Sequence, residues 1–175
     1  MSLVLLIGKR QSGKTSACRR LAGLASNRGL TACGIIAPAV YESQQCVGYD
    51  VVDLATGRST RLATTDGPGV EQVGRFYFTS DGLALGKSAL ECALELSDRF
   101  VIVDEVGPLE LAGGGWAGHV DRLACRQNLT VLTVRPSLAR QVAERWNVAP
   151  ESQCDLARGT DAAIDSVMRR VSREE

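Results

Sequence analysis

The chain has 175 residues, of which 45% are hydrophobic and 23% are charged, with 20 Lys and Arg residues against 20 Asp and Glu residues. That length suffices for one domain with a substantial core, and because no linker or repeat divides the chain we expect residues 1–175 to form a single domain. The balanced charge disfavours a general nucleic-acid binder, which needs a basic face. The opening apolar run is too short for a membrane span or a signal peptide, so we expect a cytoplasmic protein with no membrane partner.

Continuous apolar runs of strand length alternate with helical patterns along the chain. Runs that are apolar throughout are typical of strands covered by helices on both faces of a parallel sheet. The predicted strands are residues 3–7, 32–36, 100–103 and 129–134. This alternation predicts a doubly wound α/β domain with a mainly parallel sheet.

Apolar residues at helical spacing between and after these runs predict the helices that cover the sheet. Ser137 is the expected N-cap of the fourth helix, and the fifth begins at about Thr160 and ends in the polar tail 172–175. The five apolar faces are Leu21, Leu24 and Ala25; Leu83, Leu90 and Leu94; Val120, Leu123 and Ala124; Leu138, Val142 and Trp146; and Ile164, Val167, Met168 and Val171.

One segment departs from the alternation of strand and helix. Val47, Tyr49 and Val51 alternate with polar residues, and a turn containing Gly57 separates them from residues 59–62. This pattern predicts an antiparallel hairpin added at the edge of the main sheet. Residues 66–69 (Asp-Gly-Pro-Gly) are expected to form a loop, and the three glycines at 113–115 a flexible joint.

Residues 8–15 read GKRQSGKT, a complete GxxxxGK[ST] string of the Walker A type. Its glycines let successive backbone N–H groups face a phosphate, and the helix that follows adds its positive end. We expect Lys14 to reach the β- and γ-phosphate oxygens, and the Thr15 hydroxyl to ligate Mg²⁺. The predicted nucleotide-binding residues are Gly8, Lys9, Arg10, Gln11, Ser12, Gly13, Lys14, Thr15 and Ser16.

The third predicted strand ends in two acids, Asp104 and Glu105. In open α/β sheets ligands bind at the carboxyl ends of the strands, so Asp104 is the expected second anchor of the magnesium ion. Glu105 follows it directly and is the expected base that polarises the attacking water, with Lys14 as the other catalytic residue. The sequence therefore predicts an enzyme that binds ATP or GTP with Mg²⁺ as cofactor.

Residues 104–111 (DEVGPLEL) resemble the DEIGxMEL segment of the small cancer-related and thermophilic P-loop nucleoside-triphosphatases. Residues 34–38, 47–52 and 74–76 resemble that family's second strand, hairpin and G-(K/R)-aromatic segment, so the similarity spans residues 3 to about 135. The resemblance implies a RecA-like fold and slow, Mg²⁺-dependent hydrolysis of several nucleoside triphosphates. It carries over to the loop 8–15, to Asp104 and to Glu105 as the base.

Several single residues carry weaker signals. Arg75 and Arg135 could each place a cation over the γ-phosphate, although both are more often surface arginines. Glu110 could be an acid that supports the site residues from behind, but we expect a solvated turn residue. We expect Trp116 and Trp146 to be core or interface aromatics rather than base-stacking platforms. His119 is expected at the start of a helix, without a catalytic role.

The six cysteines form no CxxC pair, so zinc and thiol redox chemistry are disfavoured. Cys18, Cys33 and Cys92 lie in apolar stretches, where a free cysteine behaves as a small buried hydrophobe. In a cytoplasmic protein we expect all six to be reduced thiols.

Two other functions share the phosphate-binding loop. A small-molecule kinase needs an acceptor pocket and an arginine-rich lid, for which residues 58–75 with Arg58, Arg61 and Arg75 are the lid-sized candidate. A nucleotide-binding adaptor of cofactor biosynthesis is the other, since residues 13–31 also resemble the GTP-binding adaptor of molybdopterin-guanine dinucleotide synthesis. The chain lacks an NKxD guanine signature, which disfavours a GTP-only switch.

Overall fold

The structure is a computed structural model that describes residues 2–95 and 99–171. Ten strands lie in one mixed sheet within these residues. The strands are β1 Ser2–Ile7, β2 Thr31–Ile36, β3 Ala39–Glu42, β4 Gln45–Asp53, β5 Ser59–Thr64, β6 Glu71–Val73, β7 Phe76–Phe78, β8 Arg99–Val106, β9 Leu129–Val134 and β10 Gln153–Asp155. The α-helices are α1 Lys14–Ser26, α2 Ser80–Glu95, α3 Pro108–Leu111, α4 Ala117–Ala124, α5 Pro136–Arg145 and α6 Thr160–Val171.

The sheet has a parallel half and an antiparallel half. Strands run in the order β10-β1-β9-β8-β2-β4-β5-β7-β6, with β3 paired to β4. Pairing is parallel from β10 to β2 and antiparallel from β2 onward. The four predicted strands and the predicted hairpin, β4 with β5, are therefore confirmed. The short strands β3, β6, β7 and β10 are additions that the sequence patterns did not predict.

Helices cover both faces of the sheet and divide the core into two clusters. On one face Leu90 of α2, Val120 of α4 and Val142 of α5 pack on the sheet. On the other face Leu21 of α1 and Ile164 of α6 do so. Each fully buried aliphatic side chain of this size contributes about 1.5–3 kcal/mol to folding. The doubly wound α/β prediction is confirmed.

Three local expectations are wrong. Helix α5 begins at Pro136, and its N-cap is Arg135 rather than Ser137; proline suits the first helical position because the N–H it lacks has no partner there in any helix. Leu24 is 37% exposed, since Leu21 and Ala25 hold the centre of the apolar face of α1. Cys92 is exposed because its neighbours Ala93 and Leu94 face the core instead.

The expectations on the cysteines, on membrane-spanning helices and on the glycine joint can be compared with the described residues. None of the six cysteines, all of which are described, is part of a disulfide. No helix in residues 2–95 or 99–171 is long and apolar enough to cross a membrane. Residues 113–115 form a hydrogen-bonded turn, with Gly113 N–H donating to Glu110 O (3.0 Å) and Gly114 N–H to Leu109 O (2.9 Å), rather than a free joint. The predicted tail 172–175 lies outside the described residues.

The parallel half of the sheet brings together the segments that carry the predicted site. Strands β1, β9, β8 and β2 are adjacent and parallel, so their carboxyl ends meet at one edge. The loop 8–13 follows β1, Asp104 and Glu105 lie at the end of β8, and Ala37 follows β2. Three segments that are separate in the chain thus converge on a single edge.

Candidate active site

The loop between β1 and α1 curls tightly around its own backbone. Gln11 and Gly13 have positive φ values of 61° and 85°, and Gly8 N–H donates to Val134 O at 3.0 Å. A Cβ on Gly8 would lie 2.4 Å from Ser12 Oγ, so any other residue at that position would displace the Ser12 side chain. The buried Ser12 hydroxyl has no hydrogen-bond partner among the described residues.

Helix α1 starts directly from this loop. Gly13 is its N-cap, and Ala17 N–H donates to Gly13 O at 2.8 Å. The N–H groups of the first helical turn have no partner within a helix, and they form the positive end of its dipole. Lys9, Arg10, Gln11 and Ser16 are exposed around this end. The loop therefore presents backbone donors and cations to the same region of solvent, as an anion site requires.

Lys14 is buried although it carries a charge. Its side chain is 3% exposed and its Nζ lies 3.1 Å from Glu105 Oε1. The same Nζ donates to Lys9 O at 3.1 Å. A buried ammonium needs such partners to offset the loss of water. The predicted catalytic residues Lys14 and Glu105, 91 positions apart in the sequence, are thus in direct contact.

Asp104 is buried at the centre of the site, with 1% exposure. Its Oδ2 accepts from Thr15 Oγ1 (2.7 Å) and from Ala37 N–H (3.1 Å). Its Oδ1 accepts from Thr133 Oγ1 at 2.5 Å. Burial raises the pKa of the Asp104 carboxyl, and these hydrogen bonds oppose that rise. The two predicted metal ligands, Thr15 and Asp104, are therefore neighbours.

Glu105 has an unusual backbone for a residue within a strand. Its φ is 61°, and the pairing of β8 with β9 shifts register between Val103 and Val106. Its N–H donates to Thr133 Oγ1 at 2.8 Å, and its side chain is 33% exposed. A left-handed non-glycine residue costs about 1–3 kcal/mol and is typical of functional sites.

A cavity of about 620 Å³ adjoins these acids. It lies between the loop 8–13, the ends of β8 and β9, and the strands β4, β5 and β7. Its wall is mostly apolar and aromatic, with three arginines. The wall residues that bear on the argument are Arg10, Tyr49, Leu62, Arg75, Phe76, Phe78, Glu105, Glu110, Trp116 and Arg135.

The two arginines singled out in the sequence are exposed but line this cavity together with Glu105. The Arg75 guanidinium lies 5.1 Å from the centre of the Phe76 ring, and its Nη2 donates to Cys46 O at 2.7 Å. Arg135 follows β9 directly and caps α5. Both cations are therefore on the Glu105 side of the site, where an anion would be attracted to them.

Glu110 is not the solvated turn residue expected from the sequence. It is 3% exposed, and its carboxylate accepts from Gly107 N–H (2.8 Å) and Trp116 N–H (3.4 Å). Burial raises its pKa to about 7. A glutamate three residues after a helix N-cap commonly accepts a hydrogen bond from the N-cap N–H. The spacing of Gly107 and Glu110 could therefore have indicated that the Glu110 carboxylate is held by the backbone. The fold of residues 113–116 over it then excludes water.

The expected positions of the two tryptophans and of His119 are confirmed. Trp116 and Trp146 are buried, and Trp146 Nε1 donates to Asp121 Oδ1 at 2.7 Å. His119 lies in α4, 3.5 Å from Glu91 Oε2, and burial lowers its pKa. It is not part of the cavity wall.

The lid-sized segment 58–75 is part of the sheet. It forms β5 and β6 with the loop between them, and Arg61 Nε lies 2.7 Å from Asp50 Oδ1. Two of its arginines therefore have different surroundings, since Arg61 is paired with a neighbouring strand and Arg75 lines the cavity.

The fit of the site to a divalent cation follows from its donor atoms. Within residues 2–95 and 99–171 no three His, Cys, Asp or Glu side chains are grouped to hold a metal ion. The Thr15 hydroxyl and the Asp104 carboxylate are hard oxygen donors, 2.7 Å apart. Mg²⁺ is commonly bound by one or two protein oxygens, with water and substrate phosphates completing its shell. These donors suit that mode of binding.

Comparison with known proteins is consistent with this geometry. A family model described as NTPase matches residues 3–154. The chain is 31% identical to nucleoside-triphosphatase THEP1 of Methanothermobacter thermautotrophicus over 83% of each protein. It is 35% identical to nucleoside-triphosphatase THEP1 of Methanopyrus kandleri over 69% of this chain and 66% of that protein, just under two thirds of its length.

Solved structures share the fold at low sequence identity. A human cancer-related nucleoside triphosphatase superimposes with a TM-score of 0.76 at 18% identity, covering 100% of both chains. THEP1 from Aquifex aeolicus superimposes with a TM-score of 0.67 at 17% identity, covering 87% of both chains. With the family model and the curated relatives, these show that the chain has a P-loop α/β fold and is an enzyme of the nucleoside-triphosphatase family.

Proposed function

We propose that the protein hydrolyses the bond between the β- and γ-phosphates of nucleoside triphosphates, with Mg²⁺ as cofactor. The observation that carries the proposal is the 2.7 Å hydrogen bond from Thr15 Oγ1 to Asp104 Oδ2. It joins the phosphate-binding loop to the acid at the end of β8, the two parts that P-loop enzymes use to hold a metal-bound triphosphate.

In this proposal residues 8–16 form the Walker A site for the triphosphate. Backbone N–H groups of the loop and of the first turn of α1 donate to phosphate oxygens. The Lys14 ammonium, already held inside the loop, offsets the charge of the β- and γ-phosphates. Arg10, Arg75 and Arg135 are further cations on the same side.

Thr15 and Asp104 are the residues proposed to hold Mg²⁺. When bound, the ion neutralises charge on the phosphates of the substrate. Asp104 is kept in place by Ala37 N–H and the Thr133 hydroxyl, which fixes its carboxylate independently of the metal.

Glu105 is the proposed base. A carboxylate there accepts a proton from a water molecule as the water oxygen bonds to the γ-phosphorus. The bond from that phosphorus to the bridging oxygen breaks, and the products are a nucleoside diphosphate and inorganic phosphate. The side chain is partly exposed to the cavity, so water reaches it.

Low base selectivity is part of the same proposal. Every residue invoked above acts on the triphosphate end of the substrate rather than on the base. The chain has no NKxD string that would read guanine. ATP and GTP are therefore both proposed substrates, and the cytoplasm the proposed location.

Two substitutions test these roles. Lys14→Ala should abolish binding of Mg²⁺-ATP, because the buried cation at the phosphates is lost. Glu105→Gln should bind Mg²⁺-ATP as the parent does, while phosphate release falls at least about a hundredfold, the usual contribution of a general base. Binding is measured by titration calorimetry, and phosphate release is measured with ATP, GTP, CTP and UTP, each with and without Mg²⁺.

Matched controls come from the exposed surface of α2. Lys87→Ala and Glu95→Gln make the same chemical changes at exposed positions of that helix and should leave binding and turnover unchanged. Retained turnover in Glu105→Gln would remove Glu105 as the base. Nucleotide binding by Lys14→Ala at the parent's affinity would remove the loop from the proposal.

A further inference from the structure

The cavity beside Glu105 is much larger than hydrolysis requires. One attacking water occupies about 30 Å³ in the liquid, whereas the cavity measures about 620 Å³. Pockets that bind small organic molecules are typically about 300–1,000 Å³, mainly apolar, with a few polar groups. The size and lining of this cavity are those of a ligand site rather than of a water channel.

Four aromatic residues are part of the cavity wall. Tyr49 and Phe76 meet edge to face, with ring centres 5.2 Å apart. Phe78 and the buried Trp116 complete this side of the wall. Aromatic side chains of this kind stack on planar heterocycles, and every nucleobase has such a face.

Charged groups also line the same cavity. Glu110 is buried in the wall beside Trp116, where a carboxyl can pair with the polar edge of a heterocycle. Glu105 is a second carboxylate of the wall, and it contacts Lys14 at the start of α1. Arg10 connects the aromatic residues with the phosphate-binding loop, since its guanidinium lies 5.9 Å from the Phe76 ring centre while its backbone belongs to the loop.

We propose that this cavity binds a nucleoside, whose base packs against the aromatic wall at Phe76 and whose primary hydroxyl accepts the γ-phosphoryl group. The inference rests on the proposed function, because it uses the same phosphate-binding loop and the same general base, Glu105. The hydroxyl oxygen bonds to the γ-phosphorus, its proton passes to the Glu105 carboxylate, and the bond from phosphorus to the bridging oxygen breaks. The products are a nucleoside diphosphate and a nucleoside monophosphate, and Glu105 then releases the proton to water.

Hydrolysis is then the reaction that occurs when water occupies the cavity. Glu105 has the same role in both cases, since a base that deprotonates water also deprotonates a bound alcohol. A bound alcohol has the advantage of being held next to the phosphorus, and such positioning is a large part of catalysis.

The first experiment uses adenosine as the acceptor and Mg²⁺-GTP as the donor, so that any AMP formed comes from the acceptor. AMP should appear in proportion to GTP consumed, and cytidine, uridine and guanosine are tested in the same way with ATP or GTP as donor. Lys14→Ala protein, purified identically, excludes a contaminating kinase. Phosphate release without any nucleoside monophosphate, across all four nucleosides, would overturn the inference and leave the proposed hydrolysis intact.

Binding is measured separately from turnover. Adenosine should bind, by calorimetry, in the presence of Mg²⁺ and a non-hydrolysable GTP analogue, with a Kd at or below about 1 mM, the upper end of ordinary KM values. No binding at that concentration, or competition between adenosine and the analogue for one site, would contradict a second site. Failure of the analogue itself to bind would instead refute the proposed function.

Two neighbouring residues of β7 provide a matched pair of variants. Phe76→Ala should weaken adenosine binding about tenfold or more, the usual effect of removing a stacked ring. Tyr77→Ala removes a ring from the same strand that is not part of the cavity wall and should leave adenosine binding unchanged. Phe76→Leu keeps the apolar volume if Phe76→Ala does not fold, and should also weaken binding. Equal effects of the Phe76 and Tyr77 substitutions would overturn the assignment.

Discussion

Two threonines of β9 give a sharp test of how the acids at the end of β8 are held. Thr130 and Thr133 are both fully buried, but their hydroxyls differ completely. Thr133 Oγ1 donates to Asp104 Oδ1 (2.5 Å) and accepts from Glu105 N–H (2.8 Å). Thr130 Oγ1 has no hydrogen-bond partner among the described residues. Valine has nearly the shape of threonine, so the same substitution at each position isolates the hydroxyl.

The two substitutions should change the free energy of unfolding in opposite directions. Thr133→Val removes a bond to a carboxylate, worth about 1.5–3 kcal/mol, and leaves the Glu105 N–H without its acceptor, at a cost of about 1–3 kcal/mol. We expect the free energy of unfolding to fall by about 3–5 kcal/mol, a large part of the usual 5–15 kcal/mol. Thr130→Val removes an unpaired buried hydroxyl and should raise the stability by about 1 kcal/mol.

Urea denaturation of the parent and both variants at one pH measures these differences. Equal effects of the two substitutions, or a greater loss in Thr130→Val, would refute the reasoning. Such a result would mean that the two hydrogen bonds of the Thr133 hydroxyl do not stabilise the fold.

Two further predictions concern the region around Trp116. Because burial raises the pKa of Glu110 from 4.5 to about 7, its contribution to stability is fully present below about pH 4.5 and is lost as the pH rises through 7. At about 1.4 kcal/mol per pKa unit, the free energy of unfolding of the parent should fall by about 3 kcal/mol from this group. Urea denaturation of Glu110→Gln between pH 4.5 and 8 should not show this fall. Parallel pH curves for parent and variant would contradict the prediction. Gly86→Ala should lower the melting temperature, since its Cβ would lie 2.3 Å from the Trp116 ring, an overlap costing about 1–3 kcal/mol that outweighs the helix-propensity gain of about 1 kcal/mol. Gly23→Ala, with open space around its Cβ, should show only that gain, and a stabilising Gly86→Ala would contradict the close packing.

Those parts of the molecule that depend on local pattern could be predicted from the sequence. Strands buried on both faces are visible as apolar runs, and the string at 8–15 marks a glycine-dependent turn before a helix. The contact of Lys14 with Glu105, over 91 positions, then follows from the rule that strand ends in a parallel sheet meet at one edge. This is why the two proposed catalytic residues, although distant in sequence, could be predicted to lie together.

The features that escaped prediction depend on contacts between distant segments. Strands β6 and β7 have three residues each, too few for alternation to be recognised. They form by pairing, β7 with the edge of β5 and β6 with β7. Glu110 is buried because residues 113–116 fold over it, and at Gly115 a Cβ would lie 2.2 Å from Glu110 Oε1. Nothing in the polar character of a glutamate indicates such a cover. The cavity, which these same segments enclose, was therefore not predictable either.

The left-handed backbone of Glu105 explains how two consecutive acids can both contact the start of α1. In a regular strand, successive side chains point to opposite faces of the sheet, which would separate Asp104 and Glu105 by its thickness. With φ at 61°, the chain turns so that Asp104 remains buried against Thr15 while Glu105 reaches Lys14 and the cavity. The strain costs about 1–3 kcal/mol, and the hydrogen bond to Thr133 and the ion pair with Lys14 oppose it. A glycine at position 105 would relieve the strain but would supply no carboxylate, so the strained conformation and the side chain have to occur together.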